Sequence, residues 1–95
     1  MITLRIEHDI SAFDQWHAAF DRFADARARA GVRAHRILQP VDNASHVLVD
    51  LDFDDLESAK AFLGFLEKSV WAVPGNSPAL IGSPETSLLD LREAT

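Results

Sequence analysis

The hydrophobic positions change period several times along the chain, and each change marks a structural element. From Ile2 to Ile6, apolar and polar residues alternate, which is the period of a strand with one buried face. From Phe13 to Ala28, apolar residues recur every three or four positions, as on one side of an amphipathic helix. Gly31 then stands where a left-handed residue commonly ends a helix. The pattern predicts a strand followed by one long helix.

The next stretch predicts a hairpin and a second helix. Strands are expected over residues 32–39 and His46–Phe53, and the short polar connection between them favours antiparallel pairing. A second helix is expected to begin after Asp54 or Asp55, either of which can cap it. Its apolar stripe continues to Val70.

The rest of the chain completes a βαββαβ order. Residues 71–84 contain three prolines and two glycines, so an irregular connection is expected there, followed by a short last strand over residues 87–92. Right-handed crossovers place both helices on one face of a four-stranded antiparallel sheet. The sequence therefore predicts an α+β, ferredoxin-like fold in one domain spanning residues 1–95.

The same alternation assigns the two faces of the sheet. The apolar side chains of the first and third strands face the helices. The opposite face has mixed charge, with Arg5 and Arg36 able to pair across strands with Asp50 and Asp52. Such a surface is self-complementary, so we expect a second copy of the chain to pack on it as a two-fold homodimer. The simpler alternative is a solvated sheet face.

Composition narrows the possible partners and locations. Nine basic residues stand against fifteen acidic ones, a net charge of -6, which disfavours binding to nucleic acid. Cysteine is absent, which excludes disulfides, thiolate metal sites and cysteine nucleophiles. The chain has no signal-peptide pattern at its start and no apolar run of membrane-spanning length. We therefore expect a cytoplasmic protein that does not bind membranes.

Three segments carry a resemblance to a known family: residues 13–20, His46–Phe53 and residues 55–63. They resemble the dimeric α+β barrel superfamily and, within it, the antibiotic biosynthesis monooxygenase-like domains, over nearly the whole chain. The resemblance implies two chains whose sheets pack into a barrel, with a pocket in each chain between sheet and helices. It implies no single activity, because members include cofactor-independent oxygenases, haem-degrading enzymes, isomerases and cyclases. The haem-degrading pattern, with a histidine at the end of the second helix, is missing, so no cofactor is expected.

Three histidines are the candidate catalytic groups, because imidazole titrates near neutral pH. His8 ends the first strand and would lie at the mouth of the pocket. His17 borders the buried stripe of the first helix. His35 shares the face of Leu51 if the two strands of the hairpin pair in the register that places Arg36 on the face of Asp50. The alternative for each is an ordinary structural histidine. No metal site is expected, because the three come from separate elements without the spacing of a metal motif.

Aromatic residues are the candidates for binding a substrate, although each is also a plausible core residue. They are Phe13, Trp16, Phe20, Phe53, Phe62 and Trp71. The irregular segment after Trp71 adds Asn76 and Ser77 as polar candidates, in a lid or an arm toward a partner subunit.

A pocket of this kind suits an aromatic or polyketide-like molecule. The sequence favours a cofactor-independent enzyme in which a histidine deprotonates the substrate, and the carbanion reacts with oxygen or cyclises. One alternative is a dimer that holds a small hydrophobic ligand without transforming it. Another is an interaction module whose sheet surface is its function.

Overall fold

The structure is a computed structural model that describes all residues, 1–95. The elements are β1 (Ile2–Ile10), α1 (Phe13–Asp21), α2 (Ala24–Ala30), β2 (Ala34–Leu38), β3 (His46–Phe53), α3 (Leu56–Phe65), a π-helical turn (Leu66–Val70), a 3-10 turn (Pro74–Asn76) and β4 (Leu80–Asp90). The strands form one antiparallel sheet in the order β2-β3-β1-β4. The predicted ferredoxin-like α+β fold is confirmed. No helix combines the length and apolar character that crossing a membrane requires.

The covered face of the sheet forms the core with the helices. Leu4 of β1 and Val47 and Phe53 of β3 are fully enclosed, because alternate residues of these central strands point the same way. The helices contribute Trp16 and Phe62 to the same cluster of 13 buried residues. Each large apolar side chain buried in this way contributes roughly 1.5–3 kcal/mol, so the two central strands anchor the fold.

The strand register confirms the predicted faces. Arg5 lies opposite Asp50 across β1 and β3, and Arg36 of β2 lies opposite the same aspartate. Arg5 donates two hydrogen bonds to the Asp50 carboxylate at 2.8 and 2.9 Å, and Arg36 donates two to Asp52 at 2.9 and 3.0 Å. Thr3 donates a further hydrogen bond to Asp52 at 2.8 Å. The open face is therefore a network of cross-strand ion pairs.

The first predicted helix is divided into α1 and α2. Between them, the backbone N–H groups of Arg22 and Phe23 donate to the carbonyls of Ala19 and Phe20, three residues back, at 3.2 Å each. This tightened turn ends the regular α-helical bonding of α1. The prediction of one continuous helix was wrong. It relied on the amphipathic spacing, which continues through the break and therefore does not reveal it. The second predicted helix begins as expected, with the Asp55 side chain accepting from the Ser58 N–H at 2.7 Å.

The last strand is longer than the sequence indicated. β4 runs from Leu80 to Asp90, so residues 80–84, expected to be irregular, belong to the strand, although 82–84 bulge out of the pairing with β1. Residues 91–92, expected in the strand, lie beyond its end. Gly82 has a positive φ of 75°, and the register of β1 shifts near this end. Because β4 is an edge strand, Pro84 and Gly82 are tolerated there. β2 is shorter than predicted and spans only Ala34–Leu38.

The ion pairs of the open face predict a measurable effect on stability. Asp50 is 4% exposed, and Arg5 lowers the pKa of this carboxyl below its usual range. Replacing Asp50 with Asn should lower the free energy of unfolding by about 1–2 kcal/mol near neutral pH, since its half-exposed partner Arg5 can turn to water. The carboxylate stabilises the folded state above its unfolded pKa of about 4. This stabilisation is lost as the pH falls through the lower folded-state value.

Urea denaturation of the D50N variant at neutral and acidic pH tests this expectation. The matched control is D54N, because Asp54 pairs with Arg33 at 3.2 Å on the exposed surface. Its replacement should cost about 0–0.5 kcal/mol. Equal losses in the two variants, or a D50N difference that does not shrink on acidification, would contradict the role given to Asp50.

Candidate functional site

A cavity lies between the helices and the covered face of the sheet, and it is partly open to solvent. Its volume is about 60 Å³, which is room for several waters. Eleven of its 15 lining residues are hydrophobic, among them Ile6, Val49 and Leu51 of the sheet, Phe23 of the turn between α1 and α2, and Leu66 and Val70 of the π-helical turn. The polar lining residues are His8, Arg27, Asn76 and Ser77. The lining, apolar with a few polar groups, is of the kind found in binding pockets, but the enclosed volume is smaller than that of a typical ligand pocket, so a bound ring system would extend through the open side.

Four of the six predicted aromatic residues line this cavity: Trp16, Phe20, Phe62 and Trp71. Phe53 is instead fully buried in the core, with its ring 6.0 Å from that of Phe62. Phe13 packs behind Trp16, with 5.8 Å between the ring centroids. These two residues support the cavity wall and do not line it.

Only one of the three predicted histidines lines the cavity. His17 is half-buried, stacks on Phe13 and lies 3.7 Å from the Asp21 carboxylate. His35 is exposed at the end of the sheet beside Phe20, with ring centroids 5.4 Å apart. Its register opposite Leu51 is the one expected, yet it lies outside the cavity because β2 is an edge strand with little cover there.

His8 is buried, and burial favours its neutral form. It is 6% exposed, and its Nδ1 lies 3.0 Å from the Asp9 carbonyl oxygen. We assign the proton to Nδ1, which donates to that carbonyl. Burial lowers the pKa of His8, and this effect outweighs the opposing effect of the hydrogen bond. Nε2 then carries a free lone pair and, since no fully buried polar side-chain atom lacks a partner, it remains accessible.

Arg27 is the site residue that sequence reasoning missed. It is 7% exposed, and its Nη1 donates to the Phe20 carbonyl at 2.6 Å. Its guanidinium carbon lies 3.7 Å from the centroid of the Phe20 ring, within cation–π distance. The available signal was spacing: Arg27 follows Phe23 by four positions, on the apolar stripe where another hydrophobic residue is expected.

The segment after α3 supplies the remaining polar groups. The Asn76 side chain donates to the Ser69 carbonyl at 2.7 Å, which anchors the 3-10 turn to the end of the π-helical turn. Ser77 follows it along the cavity wall. The irregular backbone here lets two small polar residues approach an otherwise apolar space, as loops often do at sites.

His46 has the opposite environment from His8. It lies on the open face, where Nδ1 is 2.8 Å from the Asp9 carboxylate and Nε2 is 3.1 Å from that of Glu7. The hydrogen bond with Asp9, followed by that with Glu7, raises the pKa of His46. No three histidine, aspartate or glutamate side chains in the chain converge with the geometry of a metal site.

Comparison with known proteins rests on structure. No family model matches the sequence, and no curated protein is significantly similar to it. Among solved structures, SnoaB, a cofactor-independent oxygenase from Streptomyces nogalater, superposes with a TM-score of 0.73 at 20% identity, covering 98% of this chain and 94% of SnoaB. The chain has the fold of the antibiotic biosynthesis monooxygenases.

Two further structures have the same fold. An antibiotic biosynthesis monooxygenase matches with a TM-score of 0.68 at 11% identity, covering 98% of this chain and all of the other, 100%. A dimeric ferredoxin-like protein from an uncultured marine organism matches with a TM-score of 0.65 at 8% identity, covering 100% and 98%. These matches confirm the resemblance in fold that the sequence predicted.

The two histidine environments predict two different titrations. The pKa of His8 should fall below the ordinary value of 6.5, and that of His46 should lie above it. The pH dependence of the imidazole carbon-bound proton resonances measures both. The D9N variant should lower the pKa of His46 more than the matched E7Q variant does, because Asp9 makes the stronger hydrogen bond. Indistinguishable values for the two histidines would contradict these assignments.

Proposed function

We propose that the protein is a small-molecule enzyme that oxidises or cyclises an aromatic or polyketide-like substrate without a cofactor. The observation that carries this proposal is the single neutral imidazole in an apolar cavity. His8 has an accessible Nε2 held as a base by the hydrogen bond of Nδ1 to the Asp9 carbonyl. SnoaB, which shares the fold, is described as a cofactor-independent oxygenase, and this agrees with the proposal.

The proposed reaction begins with removal of a proton. Nε2 of His8 takes it from an acidic C–H of a substrate held against Trp16 and Phe20, and the resulting carbanion is delocalised over the aromatic system. In the oxygenase form, the carbanion transfers electrons to molecular oxygen and forms a C–O bond, which gives a hydroperoxide once protonated. Loss of water from a CH–OOH centre leaves a ketone, so a CH₂ group and O₂ become a carbonyl and water. Asn76 and Ser77 offer hydrogen bonds that orient polar substituents.

A binding protein without chemistry is the second candidate. Catalysis would be better supported by at least two histidines on the cavity, but His8 is the only one that lines it. An apolar cavity with one histidine can equally hold a small hydrophobic ligand without changing it. In either case, a chain without cysteine suits the reducing cytoplasm, where we propose that it acts.

Oxygen consumption with anthrone tests the enzymatic proposal. Anthrone is a planar aromatic ketone with an acidic methylene group. The wild-type protein should accelerate oxygen uptake above the uncatalysed rate, and replacing His8 with Ala should reduce the catalysed rate by about 10²–10⁴-fold. Binding of anthrone without faster uptake would favour the second candidate.

The control for this assay is His46→Gln. His46 lies outside the cavity, on the open face with Glu7 and Asp9, so this variant should retain the wild-type rate as long as light scattering shows that its mass is unchanged. H17A and H35A in the same assay test the two catalytic predictions that the cavity geometry does not favour. Unchanged turnover in H8A would remove His8 from the mechanism.

We also propose that the open sheet face pairs with a second copy of the chain. Its ion pairs carry both signs of charge, and Leu38, 45% exposed, adds apolar surface at one edge. A relative with the same fold is described as a dimeric ferredoxin-like protein. The same face also fits the third candidate, in which the dimer surface itself is the function.

The dimer predicts a selective response to a buried charge. Wild-type protein should have twice the mass of one 10.5 kDa chain in light scattering. L38E should shift it toward monomer by placing a charge in the interface. The matched control is L56E, since Leu56 has similar exposure, 42%, but lies on α3, away from the open face. A wild-type monomer, or equal dissociation by both variants, would rule out this interface.

A further inference from the structure

Arg27 is a buried cation with no carboxylate within salt-bridge distance. Of the six other arginines, Arg5, Arg33, Arg36 and Arg92 each lie within 4 Å of a carboxylate oxygen, and Arg22 and Arg29 are exposed, so that water solvates their charge. Arg27 is 7% exposed and has no carboxylate at that distance. The charge of Asp21 acts on it from farther away, but the effect of burial is larger and lowers the pKa of Arg27. A charged group taken out of water without a counter-ion is costly, and such groups are normally paired. An unpaired guanidinium on the wall of a cavity therefore requires an explanation.

The protein contacts of Arg27 position the group but leave much of it unused. Nη1 donates to the Phe20 carbonyl near the end of α1. The positive charge there interacts favourably with the negative end of the helix dipole. One face of the guanidinium covers the Phe20 ring. The edge formed by Nε and Nη2 has no protein acceptor, and it remains accessible because no sealed polar atom lacks a partner.

The unused edge matches one ligand chemistry. Two parallel N–H groups of a guanidinium fit a carboxylate in a bidentate pair, which is stronger and more directional than a single hydrogen bond. The surrounding walls are aromatic and aliphatic, which suits an uncharged ring and disfavours a doubly charged phosphate that would have to leave water. The chemistry of the lining therefore matches a carboxylate joined to an apolar ring system.

We propose that Arg27 is the substrate-recognition residue of the cavity and makes it selective for aromatic carboxylates. The inference rests on the proposed function in one respect: it takes the cavity to be the place where a small molecule binds. It goes further by naming the charged group that this molecule carries. It does not depend on His8 or on any reaction with oxygen.

A matched pair of probes tests the selectivity directly. 2-Naphthoate and 2-naphthamide have the same ring system and nearly the same shape, but only the first is an anion at neutral pH. Trp16 and Trp71, the two tryptophans of the chain, both line the cavity, so their indole N–H resonances report on binding to nitrogen-15-labelled protein. We expect wild-type protein to bind 2-naphthoate about tenfold or more tighter than 2-naphthamide.

The variants assign this preference to one residue. R27M removes the charge and retains a long apolar side chain, so the two probes should bind within about twofold of each other. R27K retains the charge but lacks the two parallel N–H donors of a guanidinium, so it should keep only part of the preference for 2-naphthoate. The control is R29M, which removes one positive charge from the exposed side of the same helix and should leave the wild-type preference intact.

Each outcome decides the inference separately from the proposed reaction. Equal affinity of wild-type protein for the two probes would overturn it, as would no indole shift with either probe up to about 10 mM. The wild-type ratio stands as a test even if R27M fails to fold, because R27K and R29M complete the comparison. A preference lost equally in R27M and R29M would also overturn it. A preference that depends on Arg27, with no effect of H8A on anthrone oxidation, would support the inference and defeat the reaction.

Discussion

Burial of alternate side chains of β1 and β3 under the helices is the constraint on which the rest of the molecule depends. Leu4, Val47 and Phe53 are fully enclosed because every second residue of the two central strands points toward the helices. The same period fixes which side chains remain on the opposite face. Arg5 and Asp50 meet there because Leu4 and Leu51 meet on the covered face. A slip of one residue would bury the charges and expose the core.

The candidate site arises where this burial is incomplete. α1 ends at Asp21 and α2 starts at Ala24, and the turn between them leaves the Phe20 carbonyl at a helix end beside the cavity. Arg27 donates to that carbonyl and lies across the Phe20 ring. The break that interrupts the helix thus supplies the acceptor that holds a cation in an apolar wall. The same helix break therefore accounts for the packing of Arg27 and for the presence of its charge beside the cavity.

Sequence pattern was sufficient for features that follow from a period of two. It predicted the element order, the cross-strand ion pairs and the face that His35 shares with Leu51, since each depends on the alternation of side chains along the strands. It was insufficient for the break after Asp21, because the apolar spacing continues through it. It also missed residues 80–84 of β4, where Pro84 and Gly82 indicate a loop unless the strand is known to be at an edge.

The site itself was less predictable for a related physical reason. Which aromatic residues line a cavity depends on how two layers fail to fill the space between them, and no single element encodes that. Phe53 and Phe62 look alike in sequence, yet one is enclosed and the other borders the cavity. Arg27 was detectable only as a charge at an apolar position, and its significance depends on the absence of any carboxylate within 4 Å of it.

The sheet separates two electrostatic environments that begin at neighbouring residues. His8 points to the covered side, where burial favours the neutral imidazole, and Asp9 points to the open side, where it favours the charged form of His46. Because adjacent residues of a strand face opposite ways, the chain needs no insertion to place a base on one side and an ion pair on the other. A neutral base and an unpaired cation can then share the cavity, since neutral His8 adds no charge to repel Arg27. That combination suits an anionic molecule from which a proton is to be removed, because only the neutral form of His8 can accept that proton.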